Sequence, residues 1–303
     1  MNLVLFEDAM KHVCRITRIV TPSSGHALLV GVGGSGKQSL TRLGASMNYM
    51  TTFQITISST YSINDLKTDL QTLYQKTGVK EDDILFLFTE GQITNERFLV
   101  YINDLLASGE IAELYTSDEK EEIINAVRNK VKSEGKVDSR DNTSCWNWYI
   151  DKVKQKLHMS LCFSPVGESL RRRARQFPAL VNSTVIDWYF PWPKDALTNV
   201  ATRFLEEEEL GEEAARKSII NFMPISFDSV NKLSAKLYEV ERRYVYTTPK
   251  SFLELIKLFK SMLQQKRDNL LKDRERYESG LIKLRETAEQ VAIIEEEVKV
   301  KQI

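Results

Sequence analysis

Apolar residues recur at helical spacing through residues 3–20, at Leu5, Phe6, Ala9, Val13, Ile16 and Val20, until Thr21-Pro22-Ser23-Ser24-Gly25 breaks the pattern. Ala27–Val30 then forms a short continuous apolar run, the signature of a strand covered on both faces, and it enters a glycine cluster. Similar runs stand at Phe53–Ile57, Ile84–Phe88, His158–Phe163 and Thr184–Trp188, each separated from the next by enough chain for a helix. The pattern predicts a five-stranded parallel sheet in βα alternation. Between the third and fourth strands it predicts a helix over Gln92–Ala107, with Phe98, Tyr101, Ile102, Leu105 and Leu106 on one face. Two further helices follow, split by a polar surface loop at Ser133–Ser144.

After Pro191-Trp192-Pro193 the strand-like runs stop, and from Asp195 the chain reads as helix punctuated by Gly211 and Pro224. This shift divides the chain into an α/β unit over residues 1–193, a helical unit over 194–262 and a final segment over 263–303. In that last segment Leu270, Tyr277, Leu281, Leu284, Ala288, Val291 and Val298 fall on the a and d positions of a heptad, interrupted by Arg274 and Glu295. Pro is absent after Pro249 and Gly280 is the only glycine of the segment, so one helix is expected from about Ser251 to the end, its heptad seam unpaired.

Composition narrows the class. The 42 basic and 42 acidic residues cancel, which argues against a charge-driven nucleic-acid or membrane binder, and 42% hydrophobic residues suffice for a sizeable core. The three cysteines, Cys14, Cys145 and Cys162, are far apart, which excludes a disulfide framework and a cysteine zinc site and points to a reducing compartment. No apolar run approaches the roughly 18 residues of a membrane span, and the start lacks a basic leader pattern, so no secreted or membrane-inserted chain is expected. His12, His26 and His158 are dispersed and read as core or surface residues; Trp146 and Trp148 read as packing residues, and Glu206–Glu209 as a solvated acidic face.

The chemistry lies in Gly31-Val32-Gly33-Gly34-Ser35-Gly36-Lys37, which matches the first seven places of the phosphate-binding P-loop between a strand and a helix. Glycines let backbone N–H groups turn inward around phosphate oxygens, Lys37 reaches the β- and γ-phosphates, and the helix adds its positive end. The place after the lysine, normally Ser or Thr for Mg²⁺, holds Gln38, with Ser39 one position later. A one-residue step turns a side chain by roughly 100° on a helix, so Ser39 does not inherit the role directly, whereas the Gln38 amide oxygen is an acceptable metal ligand. Nucleotide binding tolerates this change better than hydrolysis does. The strand Ile84–Phe88 ends in Thr89-Glu90, placing Thr89 where a metal-binding Asp is expected and Glu90 where a water-activating Glu is expected, so that Gln38, Thr89 and Glu90 are the candidate metal ligands.

These features, with the stretches Leu3–Ala9, Leu28–Leu40, Phe98–Glu110, Leu161–Val166, Arg173–Leu180, Ile186–Leu197 and Tyr246–Leu255, give the chain a resemblance to dynein heavy chains of axonemal type. It resembles the fourth AAA+ module of the motor ring together with the base of the stalk. The resemblance implies an AAA+ α/β subdomain with a five-stranded parallel sheet, a helical lid and the outgoing helix of a coiled-coil stalk. It also implies that Met1 is internal to a much longer polypeptide whose microtubule-binding tip lies beyond Ile303. ATP or ADP with Mg²⁺ would be the ligands. The partners would be neighbouring AAA+ modules, other dynein-arm subunits and the microtubule, in the axoneme of a cilium or flagellum, part of the cytoplasmic cytoskeleton.

Residue roles follow from the same resemblance. Leu3, Val4, Leu5 and Phe6 match the loop that packs on adenine, and equally a core-packing segment. Ser164 sits at the place of the polar sensor of the γ-phosphate. Arg171, Arg172, Arg173 and Arg175 precede the fifth strand, where an arginine finger completes the neighbouring module's site in trans, Arg173 and Arg175 matching best; the alternative is a solvated basic face. Lys250 lies where a second sensor would project from the lid, and also reads as a helix-starting surface lysine. Three functions compete: an ATPase module coupling its nucleotide state to the stalk for minus-end-directed force; a non-hydrolysing ring spacer and stalk mount; and a freestanding P-loop ATPase or kinase. The last would leave an exposed heptad seam without purpose.

Overall fold

The computed structural model describes residues 5–135, 138–243 and 245–301, with side chains as far as residue 294. Leu3 and Val4, and the side chains of heptad positions Glu295 and Val298, lie outside the described residues. The first part of the chain runs α1 (Glu7–Val20), β1 (His26–Gly31), α2 (Lys37–Met47), β2 (Thr51–Phe53), α3 (Ile63–Tyr74), β3 (Ile84–Thr89), α4 (Phe98–Ser108), α5 (Ser117–Glu134) and α6 (Asn142–Lys156). It continues with β4 (Leu157–Phe163), α7 (Ser169–Gln176), α8 (Ala179–Asn182), β5 (Val185–Tyr189), α9 (Lys194–Leu205), α10 (Glu213–Glu241) and α11 (Pro249–Lys301).

The expected five-stranded parallel sheet forms in the order β2-β3-β4-β1-β5. Side chains alternate across it because the strand period is two. Leu28 and Val30 of β1 join Phe86, Phe88, Met159 and Leu161 in the large core under α3–α6 and α8, whereas Ala27 and Leu29 pack with Ala9, Val13, Ile16 and Leu40 of α1 and α2. A helical layer therefore covers each face, as the continuous apolar runs require. The strand order sends the loops after β1, β3 and β4 to one edge, where open α/β sheets bind their ligands.

Three boundaries differ from the sequence pattern. The second strand is Thr51–Phe53 and not Phe53–Ile57, because only Thr51, Thr52 and Phe53 find partners on β3; beyond them the Ile55 carbonyl accepts from Gln92 Nε2 at 2.5 Å. The Gln92–Ala107 segment starts as one 3₁₀ turn over Glu90–Gln92, where Gln92 Oε1 accepts from the Thr89 amide and hydroxyl, and the α-helix waits until Phe98. Pro224 does not punctuate the helical unit: it sits buried inside α10, whose ladder loses one donor there. Gly211 does separate α9 from α10.

The helices after β5 have their own core, Leu197, Val200 and Ala201 of α9 against Ile220 and Met223 of α10 and Phe252 and Ile256 of α11. Phe6 and Trp192 reach it from the sheet side, and Phe6 also packs on the core of α1 and β1. Glu208 of the acidic stretch is not simply solvated, since it pairs with Lys260 of α11 at 2.7 Å. α11 spans 53 residues. Along it the heptad residues Leu270, Tyr277, Leu281, Leu284 and Val291 are exposed.

Candidate functional site

The loop between β1 and α2 is built around backbone conformations that only glycine adopts easily. Gly34 and Gly36 have φ of +75° and +92°. At Gly31 a Cβ would stand 2.5 Å from the Tyr189 Cβ, so the glycine lets β5 close against the loop. α2 then begins at Lys37, and its first-turn N–H groups lie outside the helical ladder.

Lys37 Nζ donates to the carbonyls of Gly31 at 2.5 Å and Val32 at 2.8 Å and to Ser35 Oγ at 3.1 Å, which fixes a buried cation at the centre of the loop. Burial pulls its pKa below the usual lysine value, while Cys162 and Glu90 act in the opposite direction. Burial also pushes the Cys162 thiol up to about 12, so this cysteine is a neutral floor residue.

The cleft over this loop encloses about 590 Å³. At its phosphate-binding end lie Gly31, Gly33, Gly34, Ser35, Gly36, Lys37, Gln38 and Ser39, with Thr89, Glu90 and Ser164 from the ends of β3 and β4. Its other end is apolar, with Phe6, Ala9, Trp192, Val200, Phe204 and Leu253. Phe6 and Trp192 meet edge to face with centroids 5.2 Å apart. Phe6 thus lines the apolar end, whereas Leu5 is 48% exposed and does not line the cleft. Lys250, in the first turn of α11, also lines the cleft: its main chain and Cβ close over Gly34, while its ammonium lies 3.7 Å from Glu254.

Glu90 is gripped by its surroundings. Its Oε2 accepts from the Ser164 amide at 2.9 Å, and its Oε1 accepts from Ser169 Oγ at 3.0 Å and from Arg173 Nη1 at 2.8 Å. Ser164 therefore acts through its main chain, its own Oγ accepting from the Val166 amide at 3.3 Å. Arg173 is 8% exposed and bridges Glu90 to Glu96, whose Oε1 lies 2.9 Å from Nη2. The guanidinium beside Glu96 holds that carboxyl below its usual range. A finger reaching toward a neighbour would stand free of its own module; Arg173 instead turns inward, while Arg171, Arg172 and Arg175 of α7 are exposed.

Sequence reasoning missed Ser169, Glu96 and the apolar wall of Trp192, Phe204 and Leu253. The wall carries no motif and Glu96 stands in the turn before α4, whereas Ser169, one helical turn before Arg173 on α7, was within reach of a helical-wheel argument once Arg173 was singled out. It also missed a buried polar group beside the loop: Asp187 of β5 accepts from Arg15 Nη1 at 3.0 Å and lies 2.6 Å from His12 Nδ1, with the His12 ring stacked on Tyr189 at 3.9 Å.

The glycine conformations and the buried Lys37 fit a nucleotide's phosphates. No group of three or more His, Cys, Asp or Glu residues that could hold a metal ion exists among the described residues, so a Mg²⁺ here would rely on Gln38, Thr89 and phosphate oxygens, the oxygen-poor protein shell usual for nucleotide-bound Mg²⁺.

Residues 1–262 match the family of the P-loop containing dynein motor region D4. Over its full length the chain is 55% identical to the dynein alpha chain of the flagellar outer arm of Chlamydomonas reinhardtii, of which it covers 7%. Over 96% of its length it is 54% identical to human dynein axonemal heavy chain 9 and 55% identical to the ciliary dynein beta chain of Tripneustes gratilla, covering 6% of each. The chain thus spans a small fraction of these relatives' length, and within that span it belongs to the family of the P-loop containing dynein motor region D4.

Proposed function

We propose that this chain is a nucleotide-binding AAA+ module of a dynein motor ATPase, and that it passes the nucleotide state of its cleft to α11. The observation that carries this reading is the contact between Gly34 of the phosphate loop and Lys250 in the first turn of α11. A 53-residue helix begins where the phosphates would lie, so a shift of the loop acts on its end directly. The names of its relatives, flagellar outer arm, ciliary and axonemal dyneins, support a place in an axonemal motor acting on microtubules in a cilium or flagellum.

In this reading the loop amides and Lys37 bind the β- and γ-phosphates, and Phe6 and Trp192 flank the base. Gln38 and Thr89 would hold Mg²⁺, which supplies charge neutralisation on the phosphate oxygens. Glu90 orients and deprotonates the attacking water, and Ser164 fixes Glu90 through its amide. Arg175 on the outward face of α7 would serve the adjoining module's site, and the exposed heptad of α11 would pair with a returning helix to form the stalk. The units over 1–193, 194–262 and 263–303 are then the nucleotide domain, lid and stalk base.

A second reading, a nucleotide-binding spacer that does not hydrolyse, is favoured by the engagement of both Glu90 carboxylate oxygens and by Gln38 at the metal place. The two separate in the full-length protein when other nucleotide sites are disabled by substitution. Turnover that disappears with Glu90→Gln supports the ATPase reading. ATP binding without turnover supports the spacer, and no ATP binding dependent on Lys37 overturns both.

A further inference from the structure

Three of the four acceptor positions of the Glu90 carboxylate are taken, which leaves one on Oε2 for a water and draws electron density from the group that must take its proton. A carboxylate oxygen offers two lone pairs. Oε1 spends both, on Ser169 Oγ and Arg173 Nη1, and Oε2 spends one on the Ser164 amide. The strongest of these partners is the guanidinium, since charge-assisted hydrogen bonds are roughly twice as strong as neutral ones. Arg173 is itself held from behind by Glu96, through Nη2 at 2.9 Å and Nε at 3.2 Å, and its guanidinium lies 6.0 Å from the Phe163 ring centre. Nothing about this arrangement is loose: the arginine is buried, its two carboxylate partners come from the two ends of the segment joining β3 to α4, and its own helix carries Ser169 as well.

We propose that Arg173 is a positioning residue that latches Glu90 in cis, and that turnover at this site requires the latch to open. The inference rests on the reading of Glu90 as the water-activating residue. α7 is built to operate such a latch. With roughly 100° between successive helical residues, Arg171 and Arg175 share one face and Arg173 points to the opposite side. The first two are exposed and the third is buried. An anionic group docking on the Arg171–Arg175 face, such as the phosphates of a nucleotide held by an adjoining module, would therefore pull the same eight-residue helix whose other face supplies Ser169 and Arg173 to Glu90. In this way one helix links the state of a neighbouring site to the availability of Glu90.

The test is single-turnover ATP hydrolysis at this site in the full-length protein with the other sites disabled, beside ATP affinity measured separately. Arg173→Ala is expected to raise the hydrolysis rate on the order of tenfold, the worth of one hydrogen bond to a charged group, with affinity unchanged. The gain should vanish when Glu90→Gln is added. Ser169→Ala, which removes a donor without disturbing a buried charge, should give a smaller gain of the same kind and decides the matter if Arg173→Ala does not fold. A purely structural arginine would lower stability without accelerating chemistry. Unchanged or slower hydrolysis in both variants, with ATP still bound, overturns the latch. Loss of ATP binding upon Lys37→Ala, observed at the same time, shows that the nucleotide site itself stands.

Discussion

A Cβ placed on Gly34 would lie 2.4 Å from the Lys250 Cβ and 3.0 Å from the Lys250 amide nitrogen, so the phosphate loop and the first turn of α11 touch with no room for a side chain between them. Gly34→Ala should therefore push the lid away from the loop, besides forcing alanine into a positive φ that costs about 1–2 kcal/mol. The expected outcome is a lower melting temperature and weakened ATP binding. Removing the opposing Cβ with Lys250→Gly should restore part of the binding in the double variant, which a strain confined to the loop would not allow.

Lys37→Ala should leave the fold intact, because burial already makes the charge unfavourable and the apolar strand beneath it is unchanged. ATP affinity should fall by about 10–10², the loss expected when a charged donor to phosphate is removed. Titration with a fluorescent ATP analogue, alongside circular dichroism, checks both halves; affinity equal to wild type contradicts the assignment of the loop.

For Glu90→Gln the expectation is nearly unchanged ATP affinity and hydrolysis reduced by about 10²–10⁴, since the side chain meets water and not the phosphates. Gln retains an acceptor for the Ser164 amide, so the local structure should survive. Turnover at this site that persists at the wild-type rate removes Glu90 from the chemistry.

The buried histidine of β1 predicts a pH dependence of stability. Burial, with His158 nearby, lowers the pKa of His26 from 6.5 to about 4, and its Nδ1 accepts from the Met159 amide at 3.1 Å. Between these two values the unfolded chain takes up a proton that the folded chain refuses, so this residue's contribution to stability falls as pH drops below 6.5 and levels off near 4. The full loss is about 3 kcal/mol. His26→Asn keeps an acceptor for Met159 without titrating. Denaturation at several pH values should show a smaller acid-side loss in the variant, and identical slopes in both proteins would refute the assignment.

Much of this was legible in the sequence where one strong local rule governed the outcome. The phosphate loop, the parallel sheet and the long final helix follow from glycine clustering, continuous apolar runs and the absence of helix breakers. Boundaries failed where tertiary partners decided: β2 ends at Phe53 because Gln92 takes the Ile55 carbonyl, and Pro224 is tolerated because α10 is held by packing on α9 and α11. Within the site, the resemblance offered Arg173 as a finger for a neighbouring module, and only the packing of α7 against Glu90 and Glu96 reveals its inward turn. The apolar end was half visible: Phe6 was singled out, but Trp192 was read as a boundary marker although it packs on Phe6.

Under the proposed function, nucleotide in the cleft repositions α11 relative to the sheet. The most direct measurement is the distance between spin labels at Tyr49, exposed just after α2, and Tyr277, exposed on α11, recorded by pulsed electron paramagnetic resonance in the full-length protein. ATP should shift the distance distribution, and Lys37→Ala should abolish the shift. Identical distributions with and without bound ATP would contradict the account.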